Sequence, residues 1–245
     1  MKIIHNYSPN FETKKRKSNQ IKFIIFHYTG MKNELKAIKR LTSIKSKVSS
    51  HYLIKNNGDI VVIVPDLYIA WHAGISSWKS FKSLNKNSIG IEISNPGHNF
   101  NYKKFSKKQI ESIKKLSKFL IKKYKINQKN ILGHSDIALD RKKDPGEKFP
   151  WKYLAKFRIG NWHSLSVKTL LKNRRKKISS SDKIIFFGNL SKIGYSTEKS
   201  KKVKNDKFLN FKIIAFQRRF RQELINGKID QECLLISKNL AKKLN

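Results

Sequence analysis

Two histidines and an aspartate stand where short pieces of sequence come to an end. His27 closes the apolar run KFIIFH (22–27), His134 follows NILG (130–133), and Asp144 comes ten residues later, between Lys143 and Pro145-Gly146. Imidazole and carboxylate both suit zinc, which in catalytic sites takes three protein ligands and keeps a fourth position open. The only cysteine is Cys233, so any metal site must use His, Asp or Glu, and an intrachain disulfide is excluded. Each residue also has a plainer reading. A strand-end His is commonly a structural hydrogen-bonding group, and an Asp before Pro-Gly commonly starts a turn. The metal reading requires the two His-bearing strands to be neighbours. Glu92, in SIGIEIS (88–94), points away from the face shared by Ile89, Ile91 and Ile93. It is either an ordinary solvent-facing strand residue or, if helices cover the sheet, a carboxylate that needs a partner or a task. General base for an attacking water is one such task.

The elements that must position these residues are legible in outline. KFIIFH reads as a buried strand, and residues 32–46 carry Leu35, Ile38, Leu41 and Ile44 at helical spacing. The runs 48–54 and 59–64 flank Asn57-Gly58, a strong hairpin signal. Residues 106–125 form the clearest amphipathic helix, with Ser106 as its N-cap. Strands alternating with helices predict an α/β fold, a mixed β-sheet flanked by helices. Beyond residue 164 the character changes. A basic, Ser-rich stretch predicts a linker, and Leu190, Ile193, Leu209, Ile213, Phe216, Phe220, Leu234 and Leu235 predict a small C-terminal three-helix domain. The expected organisation is 1–163, a linker at 164–182, and 183–245.

The formal net charge of +39 invites a nucleic-acid reading. The charge is mostly Lys spread along the whole chain, whereas base readout favours clustered Arg. Nucleic acid is therefore not expected as the main partner. No apolar run is long enough to span a membrane, and the N-terminus shows no signal-peptide core. These features predict a cytoplasmic protein, with a periplasmic or wall-associated location as the alternative.

FHYTG (26–30), VSSHYLI (48–54), AWHAG (70–74), SIGIEI (88–93) and GHSDIA (133–138), followed by KDPG and FPW, occur in this order. Together they resemble the zinc-dependent N-acetylmuramoyl-L-alanine amidases of the AmpD/AmiD type, which share a fold with peptidoglycan recognition proteins. The match spans about residues 5–157. The tail, with GNLSKIGY, FKIIAFQRRFR and NGKIDQECLLI, resembles a three-helix peptidoglycan-binding domain. The pairing of enzyme and wall-binding module is similar to the AmiD branch.

The resemblance implies a division of roles. His27, His134 and Asp144 match the zinc ligands, one Zn2+ per chain. Glu92 matches the acid/base residue and Lys142 the group that supports the oxyanion. The implied reaction is hydrolysis of the amide between N-acetylmuramic acid and L-alanine, in peptidoglycan or muropeptides, by a monomer. The alternative is a non-catalytic peptidoglycan-binding module. Trp71, His72 and Trp78 of AWHAGISSW are expected either to line the glycan or peptide groove or to pack as a loop over the core. His51 is expected to be structural or to support a ligand. Cys233 is expected to be a small buried residue.

Overall fold

β-Branched and aromatic residues at 23–28 and 88–93 build the central strands of a mixed sheet. The computed structural model describes residues 2–196 and 204–243. In chain order the first elements are Ile3–His5 (β1), Phe11–Glu12 (β2), Phe23–Tyr28 (β3), Glu34–Thr42 (α1), Tyr52–Ile54 (β4) and Ile60–Val62 (β5). Ile69–Ala70 (β6), Ser77–Trp78 (β7), Phe81–Lys82 (β8), Ser88–Ile93 (β9), Lys107–Tyr124 (α2) and Ile131–Gly133 (β10) follow. The helices His134–Ile137 (α3), Trp151–Ala155 (α4), Val167–Asn173 (α5), Ser180–Ile193 (α6), Asn205–Phe220 (α7) and Gln231–Lys242 (α8) complete the chain.

Six strands pair in the order β1-β5-β4-β9-β3-β10. All pairs are parallel except the β4–β5 hairpin, which turns at Asn57-Gly58. β3 therefore lies between β9 and β10, so the strands that lead to His27 and His134 are neighbours. The register sets Leu53, Glu92 and His27 in one row across the sheet.

Side-chain alternation then assigns the faces. Ile24, Phe26, Ile89, Ile91, Ile93 and Ile131 share one core with Ile113, Leu116 and Leu120 of α2. Ser106 caps that helix, accepting from the Gln109 N–H, and the Gln109 side chain accepts from the Ser106 N–H. On the other face, Leu41 of α1 packs with Leu53, Val61 and Ile63. Phe23, Ile25 and Leu132 join a cluster with Phe186, Leu190, Phe216 and Leu234 from α6, α7 and α8. The C-terminal helices thus share one continuous apolar core with the sheet.

Several elements differ from expectation. The helix expected over 32–46 is regular only over Glu34–Thr42, and a 3-10 turn covers Ile44–Ser46. Of its expected apolar stripe, Leu35 and Ile44 lie exposed, while Leu41 is buried against Leu53 and Val61. The strand expected from residue 48 begins at Tyr52, since Ser49 is drawn away by the Trp71 carbonyl and the Asn10 carbonyl. The stretch 164–182 contains α5, capped by Ser166, which accepts from the Thr169 N–H. Leu165, Leu170 and Ile178 from this stretch pack against the C-terminal cluster.

Candidate metal centre

The turn from β10 into α3 brings His134 to the carboxyl end of the sheet, beside His27 near the end of β3. Gly133 has no room for a side chain, since a Cβ there would lie 2.6 Å from Pro145 Cδ. Its N–H donates to Asp136 Oδ2 at 2.8 Å, and the Ser135 N–H donates to the Asp144 carbonyl at 2.8 Å. His134 is thereby gripped on both sides, and the Asp144 loop is tied to the same turn.

Three donor atoms converge. His27 Nδ1 lies 2.9 Å from His134 Nδ1, and Asp144 Oδ2 lies 3.0 Å from each. All three residues are buried. The edges are close to the ~3.3 Å separation of ligand atoms around a tetrahedral zinc with bonds near 2.0–2.1 Å. His134 Nε2 lies 3.1 Å from the Ala73 carbonyl, an obligate acceptor, so its proton is on Nε2 and its Nδ1 presents a lone pair to the triad. A bare imidazole nitrogen and a carboxylate oxygen held at hydrogen-bond distance repel unless a cation lies between them. The donor set fits a divalent metal, and among the described residues it is the one cluster of this kind.

Burial alone would raise the Asp144 carboxyl; protons on the His134 and His27 rings would hold it well below the usual carboxylate range, and with both rings neutral a cation must take their place. Burial, reinforced by the His134 ring, pushes His27 down to about 4, so its imidazole is neutral at physiological pH. Burial followed by repulsion from Asp144 pushes Glu92 up to about 8. Glu92 Oε2 is sealed from solvent and finds no hydrogen-bond donor among the described residues. Glu92, half-buried, with one oxygen sealed and unpartnered among the described residues, sits in the wall of the cleft that holds the triad.

That cleft has a volume of about 490 Å3. Arg40 of α1 lines one side, and Arg141, Lys142 and Lys143 arrive from the loop before Asp144. Trp71 lies half-buried along it. His72 also borders the cleft, but its ring is turned inward: Nδ1 meets His27 Nε2 at 3.0 Å and Nε2 meets Ser88 Oγ at 3.2 Å. Trp78 does not line it. Its indole is buried against Tyr195, with ring centroids 5.0 Å apart, and a Cβ at Gly194 would lie 2.4 Å from it. Trp78 anchors the end of α6, so of the two alternatives it takes the packing one and not the groove. Period and composition gave no sign that its neighbour would come from more than a hundred residues away.

Other residues carry parts that local sequence does not signal. His51 accepts from the Gly90 N–H, and Arg16, buried beside it, donates to the carbonyls of Asp66 and Ser88. His98 borders the cleft and bridges Tyr28 Oη to Glu147. Arg40, Arg141 and Lys143 were hidden among Lys and Arg distributed over the whole surface. Cys233 is fully buried, as expected, and burial pushes its thiol up to about 12.

Comparison with known proteins places this geometry. Residues 17–147 match a family model described as N-acetylmuramoyl-L-alanine amidase. The chain is 34% identical over 236 residues to the N-acetylmuramoyl-L-alanine amidase AmiD of Escherichia coli, covering 91% of this chain and 83% of that one. A solved complex of the Escherichia coli AmiD with anhydro-N-acetylmuramic acid-L-Ala-D-gamma-Glu-L-Lys superposes with a TM-score of 0.77 at 33% identity, over 95% of this chain and 91% of that one. AmpDh3 of Pseudomonas aeruginosa in complex with anhydromuramic pentapeptide gives a TM-score of 0.79 at 30% identity, over 96% of each chain.

Proposed function

This chain belongs to the N-acetylmuramoyl-L-alanine amidases, and on that premise we propose that zinc, held by His27, His134 and Asp144, serves its hydrolysis of the amide between N-acetylmuramic acid and L-alanine in peptidoglycan or muropeptides. The observation that carries the metal reading is the triangle of donor atoms with edges of 2.9 and 3.0 Å at the floor of a basic cleft.

An amide is a weak electrophile with a poor leaving group. A bound zinc supplies Lewis acidity, which favours both deprotonation of water and polarisation of a carbonyl. The protein's own groups manage the protons and the charge. Glu92 takes the proton of the attacking water and delivers it to the departing alanine nitrogen, a role suited to a carboxyl whose pKa burial has moved toward neutrality. Lys142 faces the cleft and offers a positive charge to the tetrahedral oxyanion, a contribution of about 3 kcal/mol in comparable sites. The side chain of Trp71 and the cationic Arg40 and Lys143 suit a ligand with a sugar face and peptide carboxylates. A complete donor set and a Glu92 whose sealed Oε2 has no partner among the described residues favour an enzyme over a module that only binds.

The test is release of free stem peptide from a muropeptide, with and without a chelator. Release that stops on chelation and returns with added zinc supports the reading. Release that continues after the metal is stripped refutes it.

The C-terminal helices are proposed to bind the wall. Support comes from the GNLSKIGY and FKIIAFQRRFR segments and from superpositions with relatives that extend over more than nine-tenths of the chain. Because the chain is so basic, the test is co-sedimentation of a Glu92→Gln protein with sacculi at increasing salt. Binding that persists at about 0.5 M salt, where the Debye length is only a few ångströms, supports a dedicated module. Complete loss indicates adsorption by charge alone.

A further inference from the structure

We infer that His72 is a positioning residue that fixes the tautomer of His27, through a hydrogen-bond relay anchored on the Leu84 carbonyl. This rests on the metal reading of the triad and adds to it the residue that makes His27 a ligand through Nδ1.

The argument begins at the far end of the relay. Ser88 Oγ lies 2.6 Å from the Leu84 carbonyl. A carbonyl has no hydrogen to give, so the serine hydroxyl spends its only proton there. Ser88 Oγ can therefore only accept from its other neighbour, His72 Nε2, at 3.2 Å. His72 is then protonated on Nε2, and its Nδ1 is an acceptor. The atom facing that acceptor is His27 Nε2, at 3.0 Å, which must be the protonated nitrogen of His27. What remains is His27 Nδ1, a bare lone pair pointing at His134 Nδ1 and Asp144 Oδ2. Every proton in the chain is assigned without reference to the metal.

The frame around His72 is built for this task. Its ring lies against Gly90, where an added Cβ would sit 2.4 Å from the ring, so β9 has no side chain at that position. Asn85 Oδ1 accepts from the backbone N–H groups of both His72 and Ala73, at 3.1 and 2.7 Å. Those two adjacent residues supply the acceptors for both imidazole ligands: His72 Nδ1 for His27 and the Ala73 carbonyl for His134. Outer partners that fix ligand orientation are typically worth 10–100-fold in metal affinity. His72, expected either to line the groove or to pack over the core, borders the cleft and acts through His27.

The test reads the proton and the metal separately from turnover. In 15N-labelled wild-type protein, long-range imidazole correlation spectra before and after zinc loading should show His27 and His72 both protonated on Nε2. A His27 protonated on Nδ1 in the metal-free protein overturns the relay. Zinc affinity, measured by competition with a chromophoric chelator, should fall 10–100-fold in His72→Phe, which keeps a ring but has no acceptor. His72→Gln, whose amide oxygen can accept from His27 Nε2, should recover most of that loss. Equal affinity of wild type and His72→Phe overturns the inference while leaving the amidase reading standing. Failure of the wild type itself to bind zinc sinks the metal reading instead.

Discussion

Arg219 of α7 and Asp136 of α3 form an ion pair that is almost wholly buried. The pair joins the C-terminal helices to the turn that carries His134. Asp136 Oδ2 also accepts from the Gly133 N–H, and Asp136 Oδ1 accepts from Tyr195 Oη at 3.0 Å. Arg219 reaches on to the Ile131 carbonyl at 2.9 Å and lies over the Trp151 ring at 4.2 Å. A carboxylate in the catalytic region is thus neutralised by a guanidinium from the tail.

Removing one member of such a pair leaves an uncompensated buried charge. Arg219→Met is therefore expected to destabilise the protein by about 3–5 kcal/mol, and the Asp136→Asn, Arg219→Met double variant by less than the sum of the single changes. Thermal and denaturant unfolding check this. An unchanged melting temperature in Arg219→Met would remove the claim that the tail supports the β10–α3 turn.

Asp144→Ala should lose bound zinc and activity together, because it takes away the one anionic ligand of the triad. Metal content after gel filtration, set beside stem-peptide release, is the measurement. A variant that retains a full equivalent of zinc would disqualify Asp144 as a ligand.

Glu92→Gln should keep zinc and lose turnover by about 10²–10⁴-fold, since the amide can neither accept nor return the proton. Wild-type rates in this variant would falsify the acid/base role.

His163 offers a pH test remote from the metal. The ring is buried and lies 5.0 Å from that of Trp162. Burial, with Lys152 and Lys243 nearby, pushes its pKa down from 6.5 to about 4. Between those values the unfolded chain binds the proton and the folded protein does not, so acidification destabilises. The wild type should lose about 2 kcal/mol between pH 8 and pH 5 that His163→Phe retains. Parallel pH profiles for the two proteins would show that the imidazole stays solvated.

Local patterns carried well where one element decides its own fate. The α2 stripe and its Ser106 cap, the alternation of Ile89, Ile91 and Ile93, and the Asn57-Gly58 turn all depend on neighbours a few residues apart, and all are found as expected. The three convergent residues were also legible as candidates, though taken one by one they left plainer readings open. It was the order of several motifs that gave them weight.

The sequence by itself determined the central strands, the main helix and the chemical types that could meet a metal, because periodicity, capping and side-chain chemistry are short-range properties. Only the tertiary structure decided that Trp78 seals the α6 turn rather than a substrate groove, that His72 faces His27, and that Asp136 waits for a cation from α7. Those outcomes come from strand register and from contacts between residues far apart in the chain, and no local spacing encodes which distant atom will lie within 3 Å of a given nitrogen.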